Sequence, residues 1–380
     1  MAAASLSDQK SLISARFSAE GSFKPKNLQP SQLPLIAEVK SRLLAGTYKL
    51  ERSDCPCGEA TGIVISDIDR YGLFLNFVLC TACGTIRIDP YLDSQSLEDF
   101  YGRCFQQMYA RVTDVESYFQ RQSTYGEKIL ALTKDWLRPG SRVCELGCGA
   151  GGALDVFQKN GYRITGCDYS GELIAAGKSR GLTDLYQGSL KDNQGGPAAD
   201  LVYLHHVFEH VNRPFELLRE CRNQLAPGGR IIVIVPDVSR IDRSSFLAGD
   251  LLVFLHIAHK YNFSFEGLRR LAVRAGFDLR RLKPDANIPT PWALMPELWV
   301  EFVPAAAFHD SLTSPATLEG ERHGAEMLNY LRRTEKLFSL GLCRGQLLAR
   351  LLAVRDSIGM NLNRVRRATP AKIIHRLRKV

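Results

Sequence analysis

The sequence predicts an α/β protein: a doubly wound parallel sheet in the middle of the chain, a small cysteine-bearing β module before it and a helical extension after it. Three observations predict this. Between Ser141 and about Lys283 short apolar runs alternate with helical segments, the pattern of a parallel sheet covered by helices on both faces. Two close cysteine pairs, Cys55/Cys57 and Cys80/Cys83, mark a compact unit ahead of it, and residues 322–365 carry helical spacing behind it. With 380 residues, 45% hydrophobic and 23% charged, the chain has the composition of a multi-domain globular protein and not of a disordered or fibrous one. Its longest apolar stretch, around Leu251–Ala258, falls short of the ~18–20 residues of a membrane span. The opening residues lack the continuous apolar segment of a secretory leader.

Taken in order, residues 1–50 are a polar lead-in with one helix, on which Leu33, Ile36, Val39 and Leu43 share a face before Gly46. Residues 51–90 are the cysteine module. Residues 91–138 read as a helical linker or cap carrying Phe100, Tyr101, Phe105, Tyr109, Tyr118 and Phe119, closed by Pro139-Gly140. The core, 139–285, has strands at 142–146, 162–168, 199–204 and 230–235 and helices at 152–160, 171–180 and 213–225. Pro236 ends the 230–235 strand, 246–258 reads as a core helix with a lid as the alternative, and the helix at 264–276 leads into a last strand, FDLRRL. Residues 286–380 read as a Pro-rich segment to Pro304, then helices with a basic tail.

The segment Val143-Cys144-Glu145-Leu146-Gly147-Cys148-Gly149-Ala150-Gly151-Gly152 runs from strand through glycines into a helix. Glycines there allow a tight turn and close approach of backbone to a ligand. Glu145 stands just before them, where a carboxylate can meet a cationic amino group. Asp168, nineteen residues beyond Gly149 at the end of the next strand, can accept both hydroxyls of a ribose. That much fits a dinucleotide as well as S-adenosylmethionine.

ELGCGAGG, the strand-end Asp168, ADLVYLHHVFEHV, LAPGGRIIVIVPD and HKYNFSFEGLRRLAVRAGF resemble, in order, the successive motifs of class I S-adenosylmethionine-dependent methyltransferases. The resemblance covers about residues 118–285. It implies a Rossmann-like, seven-stranded methyltransferase sheet with the cofactor over the carboxyl ends of its first strands. By position, Glu145, Gly147, Cys148, Gly149 and Gly151 would form the cofactor loop and Asp168 would hold the ribose. Tyr169 would flank the adenine, Ser189 and Leu190 would lie near its amine, and His205 would close the methionine side. The family often has an acid where this chain has Ser189, so adenine recognition is expected to differ there.

Methyl transfer to oxygen or carbon needs alignment of acceptor, methyl and sulfur, and removal of a proton from the acceptor. Histidine suits the second task at neutral pH. His205 and His206 follow a strand's carboxyl end, where open α/β sheets bind ligands, and His259 precedes the late helix where the family places acceptor-facing residues. These three are the candidate catalytic groups. His206-Val-Phe-Glu209-His210 also reads H-x-x-E-H. Some quinone O-methyltransferases carry metal-binding acids and a histidine at this strand end, so a catalytic metal near His206, Glu209 and His210 stays open.

Cys55, Cys57, Cys80 and Cys83 offer four thiolates, with Gly58 and Gly84 after each second cysteine to permit a knuckle turn. That set suits one structural, tetrahedral Zn²⁺. The module resembles the N-terminal zinc-binding domain of a bacterial methyltransferase group associated with sugar, glycan and natural-product biosynthesis. The resemblance implies a small-molecule acceptor, methylated on oxygen. C-methylation of a keto sugar, an RNA methyltransferase and a non-catalytic binding module are the alternatives. The formal net charge of +9 lies wholly in residues 341–380, which hold ten Lys/Arg and one acid, leaving 39 of each sign elsewhere. A neutral body argues against a nucleic-acid partner. The tail suits contact with anionic lipid. The reduced cysteines suit a cytoplasmic location, peripheral to the inner membrane at most.

Overall fold

The computed structural model describes residues 9–21, 28–105, 108, 114–193, 198–243, 249–288, 295–306, 319–343 and 346–347. The basic residues of the tail, from Arg344 on, lie outside them. Its strands are β1 (Gln9–Lys10), β2 (Ile63–Ile68), β3 (Phe74–Leu79), β4 (Ile86–Ile88), β5 (Arg142–Leu146), β6 (Arg163–Asp168), β7 (Leu185–Gln187), β8 (Ala199–His205), β9 (Leu225–Pro236), β10 (Tyr261–Asn262), β11 (Phe277–Arg281) and β12 (Glu297–Pro304), apart from a short ladder joining Leu50–Glu51 to Tyr91–Leu92. Its helices are α1 (Leu33–Leu44), α2 (Ser94–Phe100), α3 (Val115–Thr133), α4 (Gly152–Lys159), α5 (Gly171–Lys178), α6 (Pro214–Asn223), α7 (Phe265–Arg274) and α8 (Glu319–Ser339).

The larger sheet has seven strands in the order β11-β12-β9-β8-β5-β6-β7. The five from β5 to β9 run parallel, and β12 is antiparallel to both β9 and β11. Side chains alternate across it. Val143, Leu201, Tyr203, Ile232 and Ile234 face Ile129, Phe157 and Ile174 of α3, α4 and α5. Cys144, Val202, Leu204, Ile231 and Val233 face Leu218, Leu268 and Leu271 of α6 and α7. The expected sheet is therefore present, with helices on both faces.

The structure changes three expectations. The strand at Phe277–Arg281 is an edge strand and not the last: Glu297–Pro304, inside the segment read as Pro-rich, inserts between it and β9. Its apolar residues Leu298, Trp299, Val300 and Phe302 are buried. The 246–258 stretch is not a core helix. Of its described part, only Leu251–Val253 forms a 3-10 turn, and Leu251, Leu252, Phe254, Leu255, Ile257 and Ala258 are buried from a largely irregular backbone. The helix read over 322–365 is observed over Glu319–Ser339, and the chain beyond 347 lies outside the described residues.

The smaller sheet, β1-β2-β3-β4-β10, takes its last strand from beyond β9. Its core is likewise shared. Phe77, Leu79, Ile86, Ile88, Tyr91 and Phe100 pack in one cluster with Val238, Ile241, Phe254, Leu255 and Ile257, and with Met327 and Leu331 of α8. The cysteine module is thus fastened to the larger sheet by the connection that leaves β9.

Helix α3 lies directly on α4. A Cβ on Gly152 would overlap the Phe119 carbonyl oxygen, so the helices meet backbone to backbone. Gly152→Ala is expected to cost about 1–3 kcal/mol, the range for overpacking a filled core, and denaturant unfolding of the variant checks it.

Candidate active site

The glycine loop follows from the parallel register of β5 and β6. The N–H groups of Gly147 and Cys148 both donate to the Cys167 carbonyl, at 2.8 and 2.9 Å. This bends the chain sharply off the sheet. Gly147, Gly149 and Gly151 have φ of 72°, 52° and 79°, a left-handed region that side chains disfavour. The loop is also crowded: a Cβ on Gly149 would lie 2.6 Å from the Tyr118 hydroxyl and 2.9 Å from Gln122 Nε2. Cys148 is fully buried, so its backbone and not its thiol is what the loop presents.

Two carboxylates stand at the strand ends beside this loop. Glu145 is 2% exposed and accepts a hydrogen bond from the Tyr203 hydroxyl at 2.7 Å, because Tyr203 is its register partner on β8. Burial pushes its carboxyl well above the usual range. Asp168 accepts from the Gly149 N–H at 2.9 Å and the Ser170 N–H at 2.8 Å. Burial raises its pKa, and the two N–H groups oppose the rise. Each of its oxygens keeps a further lone pair for a ligand hydroxyl. Tyr169 is 78% exposed, a ring available to flank a base. Leu190 is buried. Ser189 is engaged locally: its N–H and hydroxyl both donate to Asp192, at 2.6 and 2.9 Å. An acid does stand by this turn, three residues later than the family pattern places it.

The carboxyl end of β8 carries the histidines. The His205 ring packs against Tyr125 of α3, with centroids 3.7 Å apart and the planes tilted by 33°. Burial lowers its pKa, and its buried Nε2 has no hydrogen-bond partner. His206 adopts φ 52°, uncommon for a side-chain-bearing residue. Its ring bridges two carboxylates, Nδ1 to Glu209 and Nε2 to Glu297, both at 3.1 Å. Burial lowers its pKa, the two acids outweigh that, and the net effect raises it to about 10. Between its two acids the His206 ring favours the protonated form, and it must lose that proton before Nε2 can accept a proton or bind an ion. His259 is buried, with its ring 3.7 Å from His256 and 4.9 Å from His210. Its pKa is well below the usual value, from burial first and then the neighbouring histidines. The structure brings the His205 and His206 rings to 4.6 Å of one another and sets His259 Nε2 3.9 Å from Glu209 Oε1, the oxygen that also meets His206 Nδ1.

Sequence reasoning missed two residues here. Glu297, at the start of β12, accepts from the Tyr125 hydroxyl at 2.5 Å and from Trp299 Nε1 at 3.0 Å besides meeting His206. The run Leu298–Val303 between prolines was the available signal for its strand. Gln122, mid-helix on α3, donates to the Cys148 carbonyl at 2.7 Å and accepts from the Gly152 N–H at 3.4 Å. Nothing local marks it. The aromatic cap does reach this region: the rings of Tyr101 and Phe105 stand 6.4 and 5.7 Å from His210.

The four module cysteines converge. Cys55 Sγ lies 3.6 Å from Cys83 Sγ, and Cys57 Sγ 3.7 Å from Cys80 Sγ, with all four sulfurs within 4.8 Å of one another. A tetrahedron with Zn–S bonds of about 2.3 Å has edges of about 3.8 Å, so the spacing fits a tetrathiolate site.

Residues 119–282 match the family described as a methyltransferase domain. They form a class I S-adenosylmethionine-dependent methyltransferase domain. The chain is 31% identical over 119 residues to the probable tRNA methyltransferase 9B of Mus musculus, covering 30% of this chain and 26% of that protein. It is 24% identical over 210 residues to the ubiquinone/menaquinone biosynthesis C-methyltransferase UbiE of Geotalea daltonii, covering 50% and 83% respectively. Against the ubiquinone biosynthesis O-methyltransferase of Caulobacter sp. the identity is 33% over 101 residues, 25% of this chain and 40% of that one. Among solved structures, the plantazolicin methyltransferase BpumL in complex with SAH aligns with a TM-score of 0.43 and 12% identity, over 55% of this chain and 94% of that one. With tRNA and quinone enzymes both among the relatives, the methyltransferase domain itself does not single out an acceptor, and the expectation against nucleic acid finds no support there.

The methyltransferase loop depends on Gln122 for its cover. Gln122→Leu leaves the Cys148 carbonyl without its partner, a change worth about 1–3 kcal/mol when buried. We expect roughly tenfold weaker S-adenosylhomocysteine binding with the fold retained, measured by titration calorimetry alongside circular dichroism.

Proposed function

We propose that this chain is an S-adenosylmethionine-dependent methyltransferase that methylates a hydroxyl oxygen of a small molecule, a sugar, glycan or natural-product intermediate. The observation that carries the small-molecule reading is enclosure. Aromatic and histidine side chains close over the β8 carboxyl end: the Tyr101 and Phe105 rings stand 6.4 and 5.7 Å from His210, which lies 4.9 Å from the buried His259. A single functional group on a small acceptor reaches a strand end so covered more readily than a folded polynucleotide does. The neutral charge balance of residues 1–340 agrees.

In this reading the backbone of Gly147, Gly149 and Gly151 lies along the cofactor, Glu145 faces its amino group and Asp168 its ribose hydroxyls. Tyr169 flanks the adenine, with Ser189 and Leu190 at its edge. The cofactor carries the activated methyl. The chain's task is to align an acceptor oxygen with it and to manage the acceptor's proton at the group formed by His205, His206 and Glu297. Asp168→Ala is expected to weaken S-adenosylhomocysteine binding at least tenfold while leaving the melting temperature within a few degrees. Equal affinity in the variant, or no binding by the folded parent, overturns the cofactor site.

The cysteine module serves as a structural support. A zinc ion on Cys55, Cys57, Cys80 and Cys83 would have no open position for substrate. The module holds the domain through its own backbone: Ser264, the N-cap of α7, donates to the Cys83 carbonyl at 2.6 Å, and Arg274 at the other end of that helix donates to the Pro56 carbonyl at 2.6 Å. Cys80→Ser is expected to lose the cysteine-bound zinc in elemental analysis and to lower the melting temperature by several degrees. Unchanged zinc content in that variant rules the site out.

A further inference from the structure

We propose that His205, His206 and Glu297 form a binding site for a divalent transition-metal ion, separate from the four cysteines. One ligand atom from each lies within 4.8 Å of the others. Glu297 Oε1 stands 3.1 Å from His206 Nε2 and 3.9 Å from His205 Nε2. Ligands at about 2.1 Å from one ion and at right angles to each other lie about 3.0 Å apart, so the first pair has the spacing of adjacent ligands and the second is wider. Two imidazoles and one carboxylate suit Zn²⁺, Mn²⁺, Fe²⁺ or Co²⁺.

The surroundings argue for this assignment beyond the three ligand atoms. A histidine that binds metal through one nitrogen commonly gives the other to a carboxylate, which fixes the ring. His206 Nδ1 meets Glu209 at 3.1 Å. A ligating carboxylate is itself commonly held by hydrogen bonds. Glu297 receives Tyr125 and Trp299. The Nε2 of His205 is buried with no hydrogen-bond partner, and its ring is braced on Tyr125. The left-handed backbone of His206 is the conformation that presents its ring at the strand end. Three protein ligands leave positions for a substrate oxygen or water, as in reactive metal sites. The side chains of His206 and His205 keep 29% and 19% exposure.

This set differs from the H-x-x-E-H reading of the sequence. Glu209 becomes the orienting carboxylate, and the ligand acid comes from β12, about ninety residues on. The ion's role rests on the proposed methyl transfer: it would bind the acceptor oxygen and make its hydroxyl more acidic. Its presence does not rest on that reading.

The test uses the full-length chain with its cysteines zinc-loaded and Co²⁺ titrated in by calorimetry, followed by elemental analysis. One Co²⁺ per chain beyond the cysteine-bound zinc is expected. Glu297→Gln should weaken its binding at least tenfold. Trp299→Phe, which removes one of the two donors on Glu297 and leaves Tyr125, should weaken it about tenfold, and it carries the test if the first variant does not fold. Absence of Co²⁺ binding by the parent chain overturns the site. So does Glu297→Gln titrating like the parent. Loss of binding in His259→Ala with Glu297→Gln unaffected also overturns it, because the ion would then sit on Glu209, His210 and His259. S-adenosylhomocysteine titrated into the same sample separates the two claims, since binding of it without Co²⁺ overturns the metal site alone.

Discussion

The constraint on which the rest of this structure depends is one hydrophobic core built from three distant stretches of chain. Residues of the N-terminal sheet, Val238, Ile241 and residues 251–258 after β9, and helix α8 close on each other around Phe77, Ile88, Phe254, Leu255 and Leu331. Each large apolar side chain so buried contributes about 1.5–3 kcal/mol relative to exposure, and all three stretches supply such side chains to the one cluster. Polar groups then fix the register. Asp69, fully buried, accepts from the N–H groups of Tyr71 and Leu73 and from Ile257 across the core, and the Tyr91 hydroxyl donates to the Ile257 carbonyl. The connection is thereby held in an irregular path that no helical periodicity would give it. That path sets His256 and His259 against His210, and so closes one wall of the site.

The same constraint explains why part of the molecule was legible in the sequence and part was not. The strand at 142–146, the glycine turn, Asp168 and the strand leading to His205 rest on local patterns: an apolar run, a turn that only glycine tolerates, a helix start. Each is decided within about ten residues, and each stands where the pattern put it. The Cys55, Cys57, Cys80 and Cys83 grouping was legible because two close cysteine pairs, each followed by a glycine, can fold onto one another. Strand β12 was not, because prolines frame it and Glu297 and Glu301 interrupt its apolar run. What makes it a strand is the gap between β9 and β11, a long-range fact. Glu297 and Gln122 share that invisibility. Each matters through what it meets across the fold, and neither spacing nor composition announces it. Where the family often has an acid this chain has Ser189, and the nearby acid is Asp192, which accepts from the Ser189 N–H and hydroxyl.

Chemically, the two sides of the site are opposites. On the glycine-loop side stand Glu145 and Asp168, carboxylates supported by few donors. On the other stand five histidines, two of them beside Glu297. The boundary is β8, whose Tyr203 touches Glu145 and whose last residue, His205, touches Tyr125. In the proposed reading the sulfonium cofactor takes the first side and the acceptor that gives up a proton takes the second.

The state of Glu145 follows from this division. It is buried, with Tyr203 as its hydrogen-bond donor, and burial drives its carboxyl toward the neutral form. A cationic amino group set against it reverses the balance, since an opposite charge within a few ångströms favours the ionised form. Loading the cofactor and releasing a proton from Glu145 are then linked events. Wherever Glu145 is protonated in the empty protein, affinity for a cationic ligand rises with pH. The affinity stops rising once the carboxyl ionises without help. In the proposed reading the cofactor's amino group would add to the support that the Tyr203 hydroxyl already gives the ionised acid, which would make this carboxylate selective for a positively charged neighbour.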